Sequence, residues 1–215
     1  MANGRYAANK REYGQRLTIR LKLLPPDEGH SLVLEKMGFA VTKLYNTARW
    51  YMKEAHERER RTLTDVELQR ILASEDNTWY RNLHSDSAIA VLQSLWDAFK
   101  SFFALRKRGD KTAHPPGFRL RNATSTIPFK ERGCKIESLS DDGKSGVVRL
   151  PLGPRLKEYL VGYDGPQAQL ARQAIASGFL HLPFKTYRDL SGMEFRRLRV
   201  KRRNGRWFGD VRCLK

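Results

Sequence analysis

Acidic residues are in short supply in this sequence: 23 Asp and Glu stand against 41 Lys and Arg, for a formal net charge of +18. Cysteine is scarcer still. Cys134 and Cys213 alone give no metal-binding spacing and no disulfide framework, and reduced thiols in a cytoplasmic protein are the simplest reading. No uninterrupted apolar run approaches membrane-spanning length. The five histidines, His30, His56, His84, His114 and His181, are dispersed and lack HExxH spacing. A Walker loop, a GxSxG elbow and a GxGxxG after a strand are all absent. The few acids gather in "DVE", "SED" and "SDD", where helix capping or turn formation accounts for them. A metal-dependent nuclease needs converging carboxylates, and the sequence offers no such set. We therefore assign no catalytic residue, no metal ligand and no cofactor to these residues.

What is abundant is positive charge on a foldable background. Aromatic residues make up 10% and hydrophobic residues 40% of the chain, which argues against wholesale disorder. A chain of 215 residues can bury a real core, as one large domain or two small ones. The charge balance makes nucleic acid the expected partner. The Arg-rich, acid-poor start has the composition of a transit peptide. However, "QRLTIRLKLL" places Leu17, Ile19, Leu21 and Leu23 on one face and Arg16, Thr18, Arg20 and Lys22 on the other, which is strand periodicity.

Residues 1–15 read as a flexible basic arm, followed by a strand over 16–24 that Pro25 and Pro26 stop. From Asp27 to Arg60 the period becomes helical, with Leu34, Met37, Val41, Leu44, Ala48 and Met52 as its apolar stripe. "TDVE" (Thr64–Glu67) is a capping box opening a short helix through Leu72. After the turn "SEDNTW", a third helix has Ser85 as its N-cap and Ala88, Leu92, Leu95, Phe99, Phe102 and Phe103 as its stripe. Three such helices make a bundle with these stripes as core. Beyond Pro115 and Pro116 the pattern turns to short strands near 126–129, 134–138, 147–152 and 179–184, with "DDGKSG" as a turn. A helix over 166–177 carries Pro166 in its first turn and Gly178 just past its end.

The final stretch, "FRRLRVKRRNGRWFGDVRCLK", is a hairpin about Asn204-Gly205, a dipeptide suited to a two-residue turn. That turn pairs Arg203 with Arg206, Lys201 with Phe208, Arg199 with Asp210 and Leu198 with Val211. Leu198, Val200, Trp207, Val211 and Cys213 then share one face. Arg197, Arg199, Lys201, Arg203, Arg206, Phe208 and Arg212 share the other, with Asp210 as its only acid. Like charges facing each other across a ladder are destabilising. A face that collects them either meets a polyanion or is a solvated surface.

Five segments, in order, resemble a known family: "KLYNTARWYMKEA" (43–55), "LHSDSAIAVLQSLWDAFKSFFALRKRG" (83–109), "HPPGFRLR" (114–121), "VVRLPLG" (147–153) and "RVKRRNGRWFGDV" (199–211). They are similar to the N-terminal half of TnpB proteins, transposon-encoded RNA-guided nucleases related to type V CRISPR effectors. "LWDAFKSFF" followed by "PPGF" is the most specific part. The resemblance implies an α+β fold: a wedge domain, which is a β-barrel of oligonucleotide-binding type, interrupted after its first strand by a helical recognition domain. It assigns 16–26 to the first wedge strand, 27–110 to the recognition domain and 111–215 to the remaining wedge strands, with a helical insertion at 154–177. It also implies guide RNA and target DNA as partners. A RuvC-like nuclease half with three acidic residues, and its Mg²⁺, would lie beyond Lys215. The sequence departs from the family at Ile89, where a Gln is frequent, and at Asp65, where a Tyr or similar residue is. The family's preference for a target-adjacent DNA motif is therefore not carried over.

Charge, position and resemblance together nominate Tyr45, Asn46, Arg49 and Lys53 on the first helix, Ser85 at the start of the third, and Arg106, Lys107, Arg108 and Lys111 after it. Arg119 and Arg121 are expected to point outward, with Phe118 and Leu120 inward. On the hairpin the candidates are Arg197, Arg199, Lys201, Arg203, Arg206 and Phe208. For Tyr45 and Trp50, packing within the bundle is an equal alternative. The expected role is a nucleic-acid-binding module of an RNA-guided DNA endonuclease. Two other roles stay open: an autonomous DNA-binding regulator, and a subunit completed by a separate RuvC polypeptide.

Overall fold

Residues 16–214 are described by a computed structural model; the arm assigned to residues 1–15 lies outside the described residues. Strand β1 (Arg16–Leu23) leads directly into helix α1 (Glu28–Glu59), whose first turn is held by the Asp27 carboxylate accepting from the His30 amide at 2.9 Å. All six residues of the expected α1 stripe are buried. Helix α2 (Asp65–Ser74) begins with the full reciprocal capping box of Thr64 and Glu67. Helix α4 (Ser85–Lys107) differs from expectation at its start. His84 is its N-cap, its carbonyl accepting from the Ala88 amide at 2.9 Å, so Ser85 is the first helical residue and caps nothing.

Between them lies α3 (Thr78–Arg81), a single turn that the sequence pattern did not predict. Four residues carry no readable period, and it depends on the Asn77 side chain accepting from the amides of Trp79 and Tyr80. The α4 stripe is buried at Ala88, Leu92, Leu95 and Phe99, whereas Phe103 is 41% exposed and not core as expected. By length and mean composition α4 is apolar enough to cross a membrane, although Asp97 and Lys100 interrupt its apolar residues. In this fold its buried stripe packs against α1, α2 and β2 (Ile127–Lys130).

The remaining elements are β3 (Lys135–Leu139), β4 (Ser145–Pro151), α5 (Pro154–Gly162), α6 (Ala168–Ala174), β5 (Phe179–Lys185), β6 (Glu194–Arg203) and β7 (Arg206–Leu214). The expected helix over 166–177 is shorter than predicted, and Pro166 lies in the turn before it. The proline at a helix start is instead Pro154 of α5, a helix hidden inside the expected insertion.

The seven strands among the described residues form one antiparallel sheet in the order β2-β6-β7-β1-β5-β4-β3. The expected closed barrel is not what the pairing shows: the sheet is open, with no ladder between its edge strands β2 and β3 among the described residues. Those edges are nonetheless joined by only residues 131–134. Six strand spacings in a flat sheet would separate them by about 29 Å, and that link spans at most about 18 Å. The sheet must therefore curl strongly. It wraps its apolar face around a core shared with α1, α5 and α6, including Ile19, Leu21, Phe129, Leu150, Leu182, Phe184, Leu198, Val211 and Trp207.

The closing hairpin forms in the register expected from its turn. Asn204 and Gly205 take φ of 47° and 74°, the positive values that a two-residue turn of this kind requires. Its strand β7 then pairs with β1 over seven residues, Leu17 to Cys213, Ile19 to Val211 and onward to Lys22 with Phe208. Gly209, on the apolar face, leaves room for the side chain of Leu198 on β6: a Cβ there would lie 2.8 Å from Leu198 Cδ1.

The two faces of the hairpin should fail separately. Trp207 is 3% exposed, and Trp207→Ala should cost about 3–5 kcal/mol in chemical denaturation. Arg203→Ala and Arg206→Ala should leave the melting temperature nearly unchanged. If the order of these effects is reversed, the faces are misassigned.

Candidate nucleic-acid interface

Strand alternation and the observed register place most of the cations carried by the strands on the outer face of the sheet, in rows across strands. One row runs Lys130, Arg197, Arg212 and Thr18; the next Pro128, Arg199, Asp210 and Arg20; the third Lys201, Phe208, Lys22 and Lys185. Arg203 faces Arg206 at the tip. Among the described residues Arg197, Arg199, Arg203, Arg206 and Arg212 enter no ion pair. Directly opposed like charges each oppose folding modestly, so this surface holds repulsion that its own side chains leave uncompensated. The far end of the sheet is different: there Glu137 pairs with Arg149 at 3.2 Å and His181 at 3.1 Å. Uncompensated charge is thus concentrated on β6, β7 and β1.

Asp210 is the one acid within these rows, and it takes Arg20 at 3.2 Å and Lys201 as partners. Burial by itself would raise the pKa of this carboxyl. Hydrogen bonds from Lys201 and Arg20, with their charge, outweigh that and hold it below the ordinary carboxylate value.

Two concavities meet at Asp210. The first is a cleft of about 410 Å³ between the sheet and α4, in which Arg119, Arg197, Arg199 and Lys201 face Gln93, Ser94 and Asp97 of α4. The second is a hollow of about 620 Å³ over β1, walled by Arg20, Lys22, Lys185, Phe208 and Tyr187. Tyr187 is 72% exposed, and the Arg20 guanidinium lies 6.0 Å from the Phe208 ring centre. Phe208 thus shares the hollow with a second aromatic ring. Arg20, Lys22, Lys185, Tyr187, Gln93 and Ser94 were absent from the sequence candidates. The alternation in "RLTIRLK" does expose Arg20 and Lys22, but which strand lies beside them was not legible.

The candidates on α1 are engaged elsewhere. Asn46 grips the Arg119 backbone from both sides, its amide donating to the carbonyl at 3.0 Å and its oxygen accepting from the N–H at 2.8 Å. Arg49 donates to the Pro116 carbonyl at 2.7 Å and sits between the rings of Phe99 and Phe118. Tyr45 is buried beneath the Arg119 guanidinium, 3.9 Å from its ring centre. Burial lowers the pKa of both arginines from the ordinary guanidinium value.

The expected facing of 118–121 is therefore overturned. Phe118 and Leu120 are exposed, at 54% and 83%, while Arg119 turns inward over Tyr45 and only Arg121 points outward. The segment is no strand: α1 holds it through side chains, so the alternation of a sheet does not apply. Lys53 is exposed and pairs with Glu57 at 3.5 Å, and Ser85 is exposed at the first turn of α4. Lys107, Arg108 and Lys111 are exposed around Gly109 (φ 89°), and Arg106 closes that loop by donating to the Lys111 carbonyl at 2.9 Å. This loop lies ten residues beyond Asp97, about 15 Å along α4 from the cleft.

Among the described residues no three or more His, Cys, Asp and Glu side chains gather as a metal group. Neither protein-family models nor curated proteins give a match to this sequence. The arrangement on β6, β7 and β1 is suited chemically to holding a polyanion, with two aromatic rings beside the cations.

Because the folded Asp210 pKa lies below the unfolded value, its stabilising contribution is present above the unfolded carboxylate range near pH 4. It is lost as pH falls through the folded pKa. Acid unfolding followed by circular dichroism should therefore show a shallower loss of stability below about pH 4 in Asp210→Asn than in the parent. An identical acid limb in both would mean that Asp210 carries no such coupling.

Proposed function

We propose that this protein is a nucleic-acid-binding module whose outer sheet face and α4 cleft hold a phosphate backbone. The observation that carries this reading is the set of cations in register across β2, β6, β7 and β1, most of them without an ion-pair partner among the described residues and with Asp210 as the one acid in their rows. A solvated face mixes both signs, as the β3–β5 end of the same sheet does through Glu137. Phosphate contacts dominate nucleic-acid affinity, and counterion release makes that affinity salt-dependent.

The finer identity proposed is the wedge and recognition half of a TnpB-type RNA-guided nuclease, with guide RNA on the sheet and target-adjacent DNA near the helices. The element order supports it: a strand, a helical block of α1 to α4, then the remaining strands returning to pair with the first. The strongly curled open sheet supports an oligonucleotide-binding-type barrel as the wedge. In RNA-guided effectors base pairing reads the sequence while the protein holds backbone and shape. A face rich in unpaired arginines suits that division of labour.

Two measurements test the proposal. The slope of log affinity against log salt for a structured RNA should be steep, and Arg199→Ala with Lys201→Ala should reduce it by about two. A slope near zero, or one unchanged in the double variant, would sink the interface. In addition, Phe208→Ala should weaken binding of single-stranded RNA by about 1–3 kcal/mol, the range for one stacked base, with little change in melting temperature. Equal binding by the variant would remove Phe208 from the contact.

A further inference from the structure

On the opposite side of α1 is a second hollow, of about 390 Å³, enclosed by α1, α3 and α5. Its volume is within the roughly 300–1,000 Å³ of ligand pockets. Val41 of α1 lines the sheet cleft, while Lys36 and Phe39 line this hollow. Lys36 and Val41 are five residues apart, about 140° around the helix, so the two sites face different ways.

The walls combine two chemistries. Phe39 and Trp79 meet edge to face, with ring centres 5.7 Å apart and planes at 78°, and Tyr159, 46% exposed, lines the same hollow. Over these rings lie ammonium groups without carboxylate partners among the described residues. Lys36 sits 5.2 Å from the Tyr159 ring centre and donates to its hydroxyl at 3.0 Å; Lys43 sits 4.8 Å from that of Phe39. Arg155 reaches the same rim while pairing with Asp76.

A cationic ligand would meet resident ammonium groups, and a purely apolar one would leave them without a counter-charge. A planar ring carrying an anionic group satisfies both walls: the ring stacks on Tyr159 or Trp79, and the anion meets Lys36 and Arg155. Glu158 and Asn82 also line the hollow and offer acceptors to an exocyclic amine.

We propose that this hollow binds one nucleotide unit whose base carries an exocyclic amine, either free or as an unpaired residue of a strand. The site is built from α5, a helix in the segment that the family resemblance treats as an insertion, and it does not depend on the sheet-face reading.

Its test uses the whole chain labelled with 5-fluorotryptophan, with the Trp79 resonance assigned by Trp79→Phe. The probes are adenosine 5′-monophosphate and a short single-stranded oligoadenylate. Saturable movement of the Trp79 resonance is expected, weakened about fivefold or more in Tyr159→Ala and in Lys36→Ala. Both variants should melt as the parent does, because Tyr159 is exposed and Lys36 is no core residue. Arg199→Ala with Lys201→Ala should leave this signal intact, separating it from the sheet face. A response to the mononucleotide alone identifies a free ligand; a stronger response to the oligonucleotide identifies a strand. If neither probe moves the resonance saturably, or the response survives in both variants, the proposal fails.

Discussion

The pairing of β1 with β7 brings the two ends of the described chain side by side and sets everything built on the sheet. Seven residue pairs join them, and each pair commits one side chain to the core and the next to solvent. A slip of one residue would bury Arg20 and Lys22 and expose Ile19 and Leu21, at a cost in desolvated charge that no packing could offset. The register is therefore strongly specified, and with it the rows in which cations of β6, β7 and β1 face one another.

That pairing also explains how the helical block fits. Leu23 ends β1 and Glu28 begins α1, so the chain leaves the sheet as soon as the first strand is complete. It returns through β2, which pairs with β6 at the sheet's far edge. Between exit and return, α1 provides one long rail. Its Gly38 and Thr42 hold 123–125, its Asn46 and Arg49 hold 116–119, and its Gly29 allows α6 to approach so closely that a Cβ would lie 2.3 Å from the Leu170 backbone. Side chains that resemble surface contacts in the sequence thus serve to dock an irregular segment, satisfying backbone groups that have no ladder to join.

The charge distribution sets the molecule's surfaces apart electrostatically. Where Glu137 answers Arg149 and His181, the sheet is electrostatically settled. Where Asp210 alone answers Lys201 and Arg20, it is not. The hollow beside α5 is a third case, in which the Lys36 ammonium lies over the Tyr159 ring and has no carboxylate partner among the described residues.

Periodicity alone was enough to define the strands, the α1 stripe, the capping box at Thr64 and the faces of the closing hairpin, because each depends on neighbours within a few residues. Trp207 inside and Phe208 outside follow from alternation and one Asn-Gly turn. The tertiary structure decided what those signals leave undetermined. It left the sheet open where a closed barrel was expected, made His84 and not Ser85 the cap of α4, and turned Arg119 inward while exposing Phe118 and Leu120. It also joined Arg20, Lys22, Lys185 and Tyr187 to Phe208. Each of these outcomes depends on which distant segment supplies the partner for a backbone group or a ring, and partners so far apart in the chain leave no local pattern to read.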